Sequence, residues 1–152
     1  MIFAAVGDTG YNIMLLLHIL TAMAAFAPMF VHPLLGEQSK QLDPSSRRQV
    51  LRFIVQNGRR VYLPALVVTG ILGFGLVGMS ADAYELSQGW VIASIIVWIA
   101  LNGTLHAVVA PAERAMADGD DSAEGRVTVG GALVALLLIA MIYLMVFKPG
   151  LG

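Results

Sequence analysis

The sequence predicts an all-α integral membrane protein, a four-helix bundle with both termini outside the cytoplasm. Two observations carry this prediction. The 152-residue chain is 58% hydrophobic and only 12% charged, and its mean hydropathy is +0.79. So little polar surface is not enough to cover a soluble globule. The few charged residues also cluster between apolar runs, which is typical of membrane helices joined by short loops.

Four apolar runs are long enough to be membrane spans, at residues 11–35, 61–79, 90–110 and 127–147. None contains Asp, Glu, Lys or Arg. A hydrocarbon core of about 30 Å needs about 20 apolar residues of helix, which each run supplies or approaches. We therefore expect a single membrane domain over residues 1–152 with four helices, most simply a compact bundle.

Lysine and arginine positions predict the orientation, because these residues are held on the cytoplasmic side of short loops. The loop at residues 37–60 is basic and carries Lys40, Arg47, Arg48, Arg52, Arg59 and Arg60. The loop at residues 111–126 carries Arg114 and Arg126 beside five acidic residues, whereas Lys148 is alone on the other side. Both loops are therefore predicted to be cytoplasmic. We expect anionic lipid headgroups, and not nucleic acid, as partners of the basic residues.

The basic loop contains a predicted helix that begins at Pro44–Ser46 and stops at Asn57-Gly58. Its apolar residues, Val50, Leu51, Phe53, Ile54 and Val55, lie among arginines. Two interpretations remain open. The segment is either a separate helix lying in the headgroup region or a cytoplasmic extension of the second span.

Glycines predict where the helices pack, since helices in lipid approach closely only over small residues. Gly70, Gly73, Gly75 and Gly78 point in several directions around the second span, which indicates neighbours on more than one side. Gly131 and Ala135 give the fourth span a small-xxx-small spacing. The first and third spans also share a histidine, a proline and a following glutamate, which suggests a parallel repeat of two hairpins.

All three histidines lie within spans, and an ionisable residue there is a functional hypothesis by default. On the first helix, one stripe runs through Met14, His18, Thr21, Ala25, Pro28 and His32. On the third helix, Ser94, Trp98, Asn102 and His106 recur at every fourth position. Both stripes are predicted to face the bundle interior, with Asn102 one turn from His106 and able to orient its imidazole.

Depth separates the histidines into two layers. His32 and His106 lie near the cytoplasmic ends of their spans and are predicted to meet, as axial ligands of haem b or as copper ligands. The alternative is that they are structural and hydrogen-bond to each other, to Asn102 or to backbone carbonyls. On the outer side, His18 lies level with three methionines that suit copper or haem or, alternatively, only fill space: Met14, Met141 and Met145.

The sequence contains no motif for several common kinds of catalysis. There is no glycine-rich phosphate loop, no HExxH, no nucleophile with a base and no carboxylate pair within a span. There is also no cysteine, which excludes thiolate ligands and disulfides. An enzyme that works with its own side chains alone is therefore not expected.

Four segments carry a resemblance to a known family: MLLLHILTAMAAFAPMFVHPLL, RRVYLPALVVTGILGFGL, AVVAPAERAM and YLMVFKPG. Together they resemble the family of small bacterial membrane proteins called domain of unknown function 2269. The resemblance implies four helices in a bacterial inner membrane and brings no established activity. His18 and the four-helix layout are more loosely similar to copper-resistance protein D and membrane-bound protoporphyrinogen oxidase, whose membrane histidines bind haem or copper.

Three functions follow as hypotheses. The first is a non-catalytic accessory or scaffold subunit that packs in a larger membrane complex or homo-oligomer through its glycine-rich helices. The second is a redox protein that binds haem b or copper through His32 and His106. The third is a transporter gated by His18, Thr21 and His32, with a kink at Pro28.

Overall fold

A computed structural model describes residues 5–150, so the first four and last two residues of the predicted domain lie outside the described part of the chain. Within that part there are helices and turns and no β-strand. Seven α-helices follow in order: α1 (Thr9–Phe26), α2 (Pro28–Ser39), α3 (Pro44–Asn57), α4 (Leu63–Gly78), α5 (Gly89–Thr104), α6 (Ala110–Ala117) and α7 (Glu124–Phe147). Two π-helical turns join α3 to α4 (Gly58–Tyr62) and α5 to α6 (Leu105–Val109).

These elements join end to end into four long apolar helices, Thr9–Ser39, Pro44–Gly78, Gly89–Ala117 and Asp121–Phe147. Each is long and apolar enough to cross a membrane, which confirms the all-α fold with four membrane-spanning helices. The first is interrupted at Ala27, because Pro28 cannot donate a backbone hydrogen bond to the preceding turn. This interruption lies at the position where the sequence predicts a kink, and Ala27 keeps right-handed helical angles there (φ −51°, ψ −39°).

The chain forms two hairpins that meet chiefly at one end. In the first hairpin α1 packs along α4, and in the second α5 packs along α7. The hairpins join where α3 packs against α6, through a cluster that includes the buried side chains of Leu51, Ile54, Ala112 and Met116. Contact between the hairpins is sparser away from this junction, and a cavity lies between them.

The glycines of α4 serve two neighbouring helices, as the sequence predicts. A Cβ at Gly70 would overlap the indole of Trp98 on α5, so only glycine leaves room for that ring. On the α1 side, a Cβ at Gly73 would lie 3.3 Å from His18 Cε1, and one at Gly75 would lie 3.3 Å from Met14 Cε. The close approach that these glycines permit is therefore used within the chain.

The small-xxx-small spacing of Gly131 and Ala135 on α7 is not used for close packing against another of the described helices of this chain. A Cβ at Gly131 would meet nothing within 4 Å, and both Gly131 and Ala135 line the cavity. The close contact is made instead one residue earlier, where a Cβ at Gly130 would lie 2.8 Å from Val109 Cγ2. The packing face of α7 is thus rotated by one residue, and its small residues leave open space between the hairpins.

The segment before the second span extends that span. α3 begins at Pro44, within the predicted start, and Asp43 caps it, because its carboxylate accepts hydrogen bonds from the backbone N–H groups of Ser45 and Ser46. Hydrogen bonds from Ser45 and Ser46 also lower the pKa of Asp43. The predicted stop at Asn57-Gly58 is wrong, since Gly58 keeps right-handed helical angles (φ −49°, ψ −55°) and the helix continues through the π-helical turn.

Candidate intramembrane binding site

A cavity of about 500 Å³ lies between the two hairpins in the half of the bundle next to the α3–α6 junction. Its deeper wall is apolar and contains Phe26, Met29, Leu63, Val109, Val134 and Ala135. The end nearest the loops is polar and contains His32, Tyr62, Arg59, Glu113 and the side chains of the loop ends. The volume lies within the range of about 300–1,000 Å³ that is usual for small-molecule sites. The cavity is therefore amphipathic and of ligand size.

A hydrogen bond between two hairpins defines the polar end. His32 Nδ1–H on α2 donates to Glu113 Oε1 on α6 at 2.9 Å, and the two side chains are only 16% and 13% exposed. The rings of His32 and Tyr62 also pack in a T-shaped arrangement, with 5.5 Å between ring centroids. The bond through Nδ1 leaves His32 Nε2 with no hydrogen-bond partner among residues 5–150. Glu113 thus orients an imidazole whose second nitrogen is available.

Both π-helical turns border this cavity. Gly58, Arg59 and Tyr62 come from the first, and Leu105 and Val109 come from the second. A Cβ at Gly58 would lie 3.9 Å from Glu113 Oε2, so the first turn also borders the carboxylate. Single π-helical turns are rare within α-helices and occur frequently at functional sites. Two of them on the walls of one cavity support a binding role for it.

Ion pairs connect the loop ends around the cavity. Lys40 Nζ lies 2.9 Å from both Glu37 Oε2 and Glu124 Oε1. Hydrogen bonds with these carboxylates, that of Glu124 first, raise the pKa of Lys40. Arg47 Nη1 lies 3.0 Å from Asp121 Oδ1, so it also links the two hairpins. Since these side chains are partly exposed, each pair contributes little stability alone.

His106 does not reach the cavity, which corrects the prediction that it faces His32. Its side chain is exposed on the outer face of the second π-helical turn, and His32 pairs with Glu113 instead. The reason is geometric. A step of four residues turns a helix by about 400°, so three steps from Ser94 to His106 drift by about 120°. Ser94 is buried and His106 is exposed, as that drift requires.

Asn102 is likewise not positioned to orient His106. Its Nδ2 donates to the backbone carbonyl of Trp98 at 2.9 Å, within its own helix. The neighbouring Trp98 supplies the contact between helices, because its Nε1–H donates to the carbonyl of Leu66 on α4 at 2.9 Å. The polar stripe predicted on the third span therefore serves helix packing at Trp98.

His18 occupies a separate place between α1 and α4. Its Nδ1–H donates to the backbone carbonyl of Thr69 at 2.9 Å, over the gap left by Gly73. The whole predicted stripe of α1 and α2, from Met14 to His32, is at least partly buried. That stripe alternates steps of four and three residues and so stays on one face over five turns. The face is as predicted, while the polar partner of His18 is a backbone carbonyl.

The three candidate methionine ligands are divided among different contacts. Met14 packs with Tyr11 and Leu76, whereas Met141 packs against a second cluster that contains Leu66, Leu101 and Val134. Met145 on α7 is partly buried. No group of three His, Cys, Asp or Glu side chains that could hold a metal ion occurs within the described residues. Packing is the role that these contacts give Met14 and Met141.

The predicted lipid-facing arginines divide into two groups. Arg48, Arg52 and Arg60 are exposed and do not line the main cavity, and the Arg60 guanidinium lies 3.1 Å from the side-chain amide of Gln56. Arg59 is also exposed but lines the cavity, as Arg47 does. The sequence does not distinguish these groups. Arg59 and Arg60 are neighbours in the π-helical turn, and such a turn changes which of the two side chains faces inward.

Glu113 and Tyr62 are the site residues that the sequence interpretation missed. The apolar run ends at residue 110, but Pro111 is tolerated in the first turn of a helix, and Ala112 to Ala117 are good helix formers with no turn signal among them. A helix continued to Ala117 carries Glu113 past the loop boundary to the level of His32. The run of helix formers after Pro111 is therefore the sequence signal that could have identified Glu113.

Four apolar helices, with a polar pair between two hairpins, define a multi-pass integral membrane protein. Residues 12–149 match the family described as "Predicted integral membrane protein (DUF2269)", and the chain belongs to that family. No curated protein and no solved structure matches the chain. The comparisons thus do not show the similarity to copper-resistance protein D, and the family description names no activity.

Proposed function

We propose that this protein is a non-catalytic ligand-binding protein of the membrane, which holds one small amphiphilic molecule between its two hairpins. The observation that carries the proposal is the cavity itself. The cavity is of ligand size and has an apolar wall. At its polar end, Glu113 orients His32 through a hydrogen bond. Such a shape matches a molecule with one hydrocarbon part and one polar end.

Access from the bilayer supports this function over binding from water alone. The cavity borders α7 at Gly131 and Ala132, which are exposed on the surface of the bundle. Small residues there leave open space beside α2, whose Met29 and Pro33 form the other border. A molecule dissolved in the adjoining leaflet can therefore approach between α2 and α7 without crossing a packed interface.

We also propose that the protein lies in a bacterial inner membrane with both termini outside, so that the polar end of the cavity is cytoplasmic. The distribution of lysine and arginine supports that orientation. An accessory role in a larger complex is compatible with ligand binding. It has less support from the glycines than the sequence suggested, because Gly70, Gly73 and Gly75 are occupied by side chains of the same chain.

The test measures binding of four dansyl-labelled alkyl probes that differ only in their polar end: carboxylate, phosphate, trimethylammonium and alcohol. The protein is placed in phosphatidylcholine nanodiscs, and empty nanodiscs give the background. At least one probe is expected to bind saturably, at one molecule per chain. Ala135→Trp places an indole in the cavity and is expected to weaken that binding strongly. Leu136→Trp, on the adjacent lipid-facing position that is 66% exposed, is the matched control.

Two results would overturn the proposal. One is that none of the four probes binds above the empty nanodisc. The other is that Ala135→Trp and Leu136→Trp affect binding equally, since binding would then occur on the outer surface. Both variants must elute as single species, so that loss of binding is separated from loss of folding.

A haem or copper protein is the second candidate, and one observation favours it. A carboxylate that holds one nitrogen of a histidine while the other is available is the usual arrangement around metal-binding histidines. Glu113 does this for His32. The expected result is a reduced Soret band, or copper in stoichiometric amount, that is lost in His32→Ala and retained in His106→Ala. A colourless, metal-free protein after supplementation with both would remove this candidate.

A further inference from the structure

We infer that the amphiphile is an anion, with a carboxylate or phosphate as its polar end, and that Arg59 and Arg114 bind it. This inference rests on the proposed function, because it specifies the ligand of the same cavity. The two arginines come from opposite sides of the α3–α6 junction, Arg59 from the first π-helical turn and Arg114 from α6. Both line the polar end of the cavity.

The pairing of the charged side chains at that end is the main evidence. Three carboxylates line it, and all three have partners: Glu113 pairs with His32, and Glu37 and Glu124 pair with Lys40. Four cationic side chains, Lys40, Arg47, Arg59 and Arg114, also line it. Lys40 and Arg47 pair with carboxylates, whereas Arg59 and Arg114 have no carboxylate within 4.0 Å among residues 5–150. The groups left to meet a ligand are therefore cationic.

The chemistry of these two arginines agrees. Guanidinium groups bind carboxylates and phosphates through two parallel hydrogen bonds, which suits an anionic end held between two arginines.

The position of Arg59 relative to the membrane also supports an anionic amphiphile. Arg59 precedes an apolar run, residues 61–79, that is long enough to cross the hydrocarbon core. Its guanidinium therefore belongs at the boundary between headgroups and hydrocarbon, where the polar end of an amphiphile also lies. The apolar wall from Leu63 to Val134 then receives the hydrocarbon part.

The experiment compares the four probes with each other and with arginine variants. In the unmodified protein, the carboxylate and phosphate probes are expected to bind about tenfold or more tightly than the alcohol, as charge-assisted hydrogen bonds predict. The trimethylammonium probe is expected to bind no better than the alcohol. Arg59→Gln and Arg114→Gln should each reduce the preference for the anion. Arg60→Gln is the matched control, because it removes the adjacent arginine that does not line the cavity.

The outcomes separate this inference from the proposed function. Equal binding of the anionic and alcohol probes, or equal effects of Arg59→Gln and Arg60→Gln, would overturn the inference and leave the cavity as a binding site. Binding of no probe would overturn both. Competition by inorganic phosphate as effective as competition by an alkyl phosphate would show a site for a free anion, against an amphiphile. Competition by the alkyl phosphate alone is the expected result.

Discussion

His32 Nδ1 and Glu113 Oε1 lie 2.9 Å apart and join α2 to α6 across the polar end of the cavity. Both side chains are mostly buried, so the bond is shielded from water more than the exposed ion pairs at the loop ends are. It is also a contact between the first hairpin and the second. Its loss should therefore affect both the stability of the fold and the shape of the site.

The first prediction is a favourable coupling between these two residues. His32→Ala leaves the Glu113 carboxylate buried without its partner and should lower the free energy of unfolding by about 2 kcal/mol. The double variant with Glu113→Ala should lose less than the sum of the two single losses, by about 1–2 kcal/mol. Unfolding in mixed micelles, followed by circular dichroism, measures all four proteins.

Glu113→Gln is the conservative control, since the glutamine oxygen can still accept a hydrogen bond from Nδ1–H. It should lose less stability than Glu113→Ala. Strict additivity of His32→Ala and Glu113→Ala would show that the two side chains do not interact in the membrane.

The second prediction concerns the close approach of α5 to α4 at Gly70. Gly70→Ala places a methyl group in the space of the Trp98 indole and disturbs its hydrogen bond to the carbonyl of Leu66. Overpacking of this kind should lower the free energy of unfolding by about 2 kcal/mol. Thermal unfolding in detergent measures the loss, and tryptophan fluorescence reports the displaced ring.

Gly103→Ala on α5 is the control for that change. A Cβ there would meet nothing within 4 Å, so the substitution should be neutral or stabilising by up to about 1 kcal/mol through helix propensity. If Gly70→Ala and Gly103→Ala shifted the unfolding temperature alike, the packing of Trp98 into α4 would be wrong.

Comparing the two polar stripes explains which faces were predictable from sequence. The stripe from Met14 to His32 alternates steps of four and three residues and keeps to one face, so the burial of His18 and His32 followed from the spacing. The stripe from Ser94 to His106 uses steps of four alone and winds around its helix. Treating the two as equivalent produced the mistaken pairing of His32 with His106.

The partner of His32 needed information that periodicity does not contain. Glu113 reaches the site because α6 continues α5 beyond the apolar run through a π-helical turn. A π-helical turn changes the register of every later residue and has no reliable sequence signal. Hydrophobic length predicted the four helices well, since lipid imposes it directly, but it could not predict side-chain partners at the ends of the helices.

The third prediction is that His18 contributes to the stability of the fold and not to binding in the cavity. His18→Leu removes the hydrogen bond to the Thr69 carbonyl and places a larger apolar group over Gly73. Hydrogen bonds between membrane helices contribute about 1 kcal/mol, so a loss of that order is expected. Probe binding in nanodiscs should stay unchanged, because His18 does not line the cavity.

Leu16→Ala, at a position on α1 that is 56% exposed, is the matched control and should change neither quantity. Loss of probe binding in His18→Leu, in a protein that still elutes as a single species, would connect His18 to the cavity and contradict the separation of the two histidines.

The fourth prediction concerns the orientation, which decides the side to which the polar end of the cavity belongs. The chain contains no cysteine, so a single introduced cysteine reports its own location. Gln41→Cys lies in the turn between α2 and α3, and Ser87→Cys lies in the turn between α4 and α5. Because lysine and arginine concentrate on the Gln41 side, a membrane-impermeant maleimide added to intact cells should label Ser87→Cys and spare Gln41→Cys. Permeabilised cells should show labelling of both, which establishes that each thiol is accessible. The reverse pattern in intact cells would place Arg59 and Arg114 outside the cytoplasm, and the anionic amphiphile would then have to come from the outer leaflet.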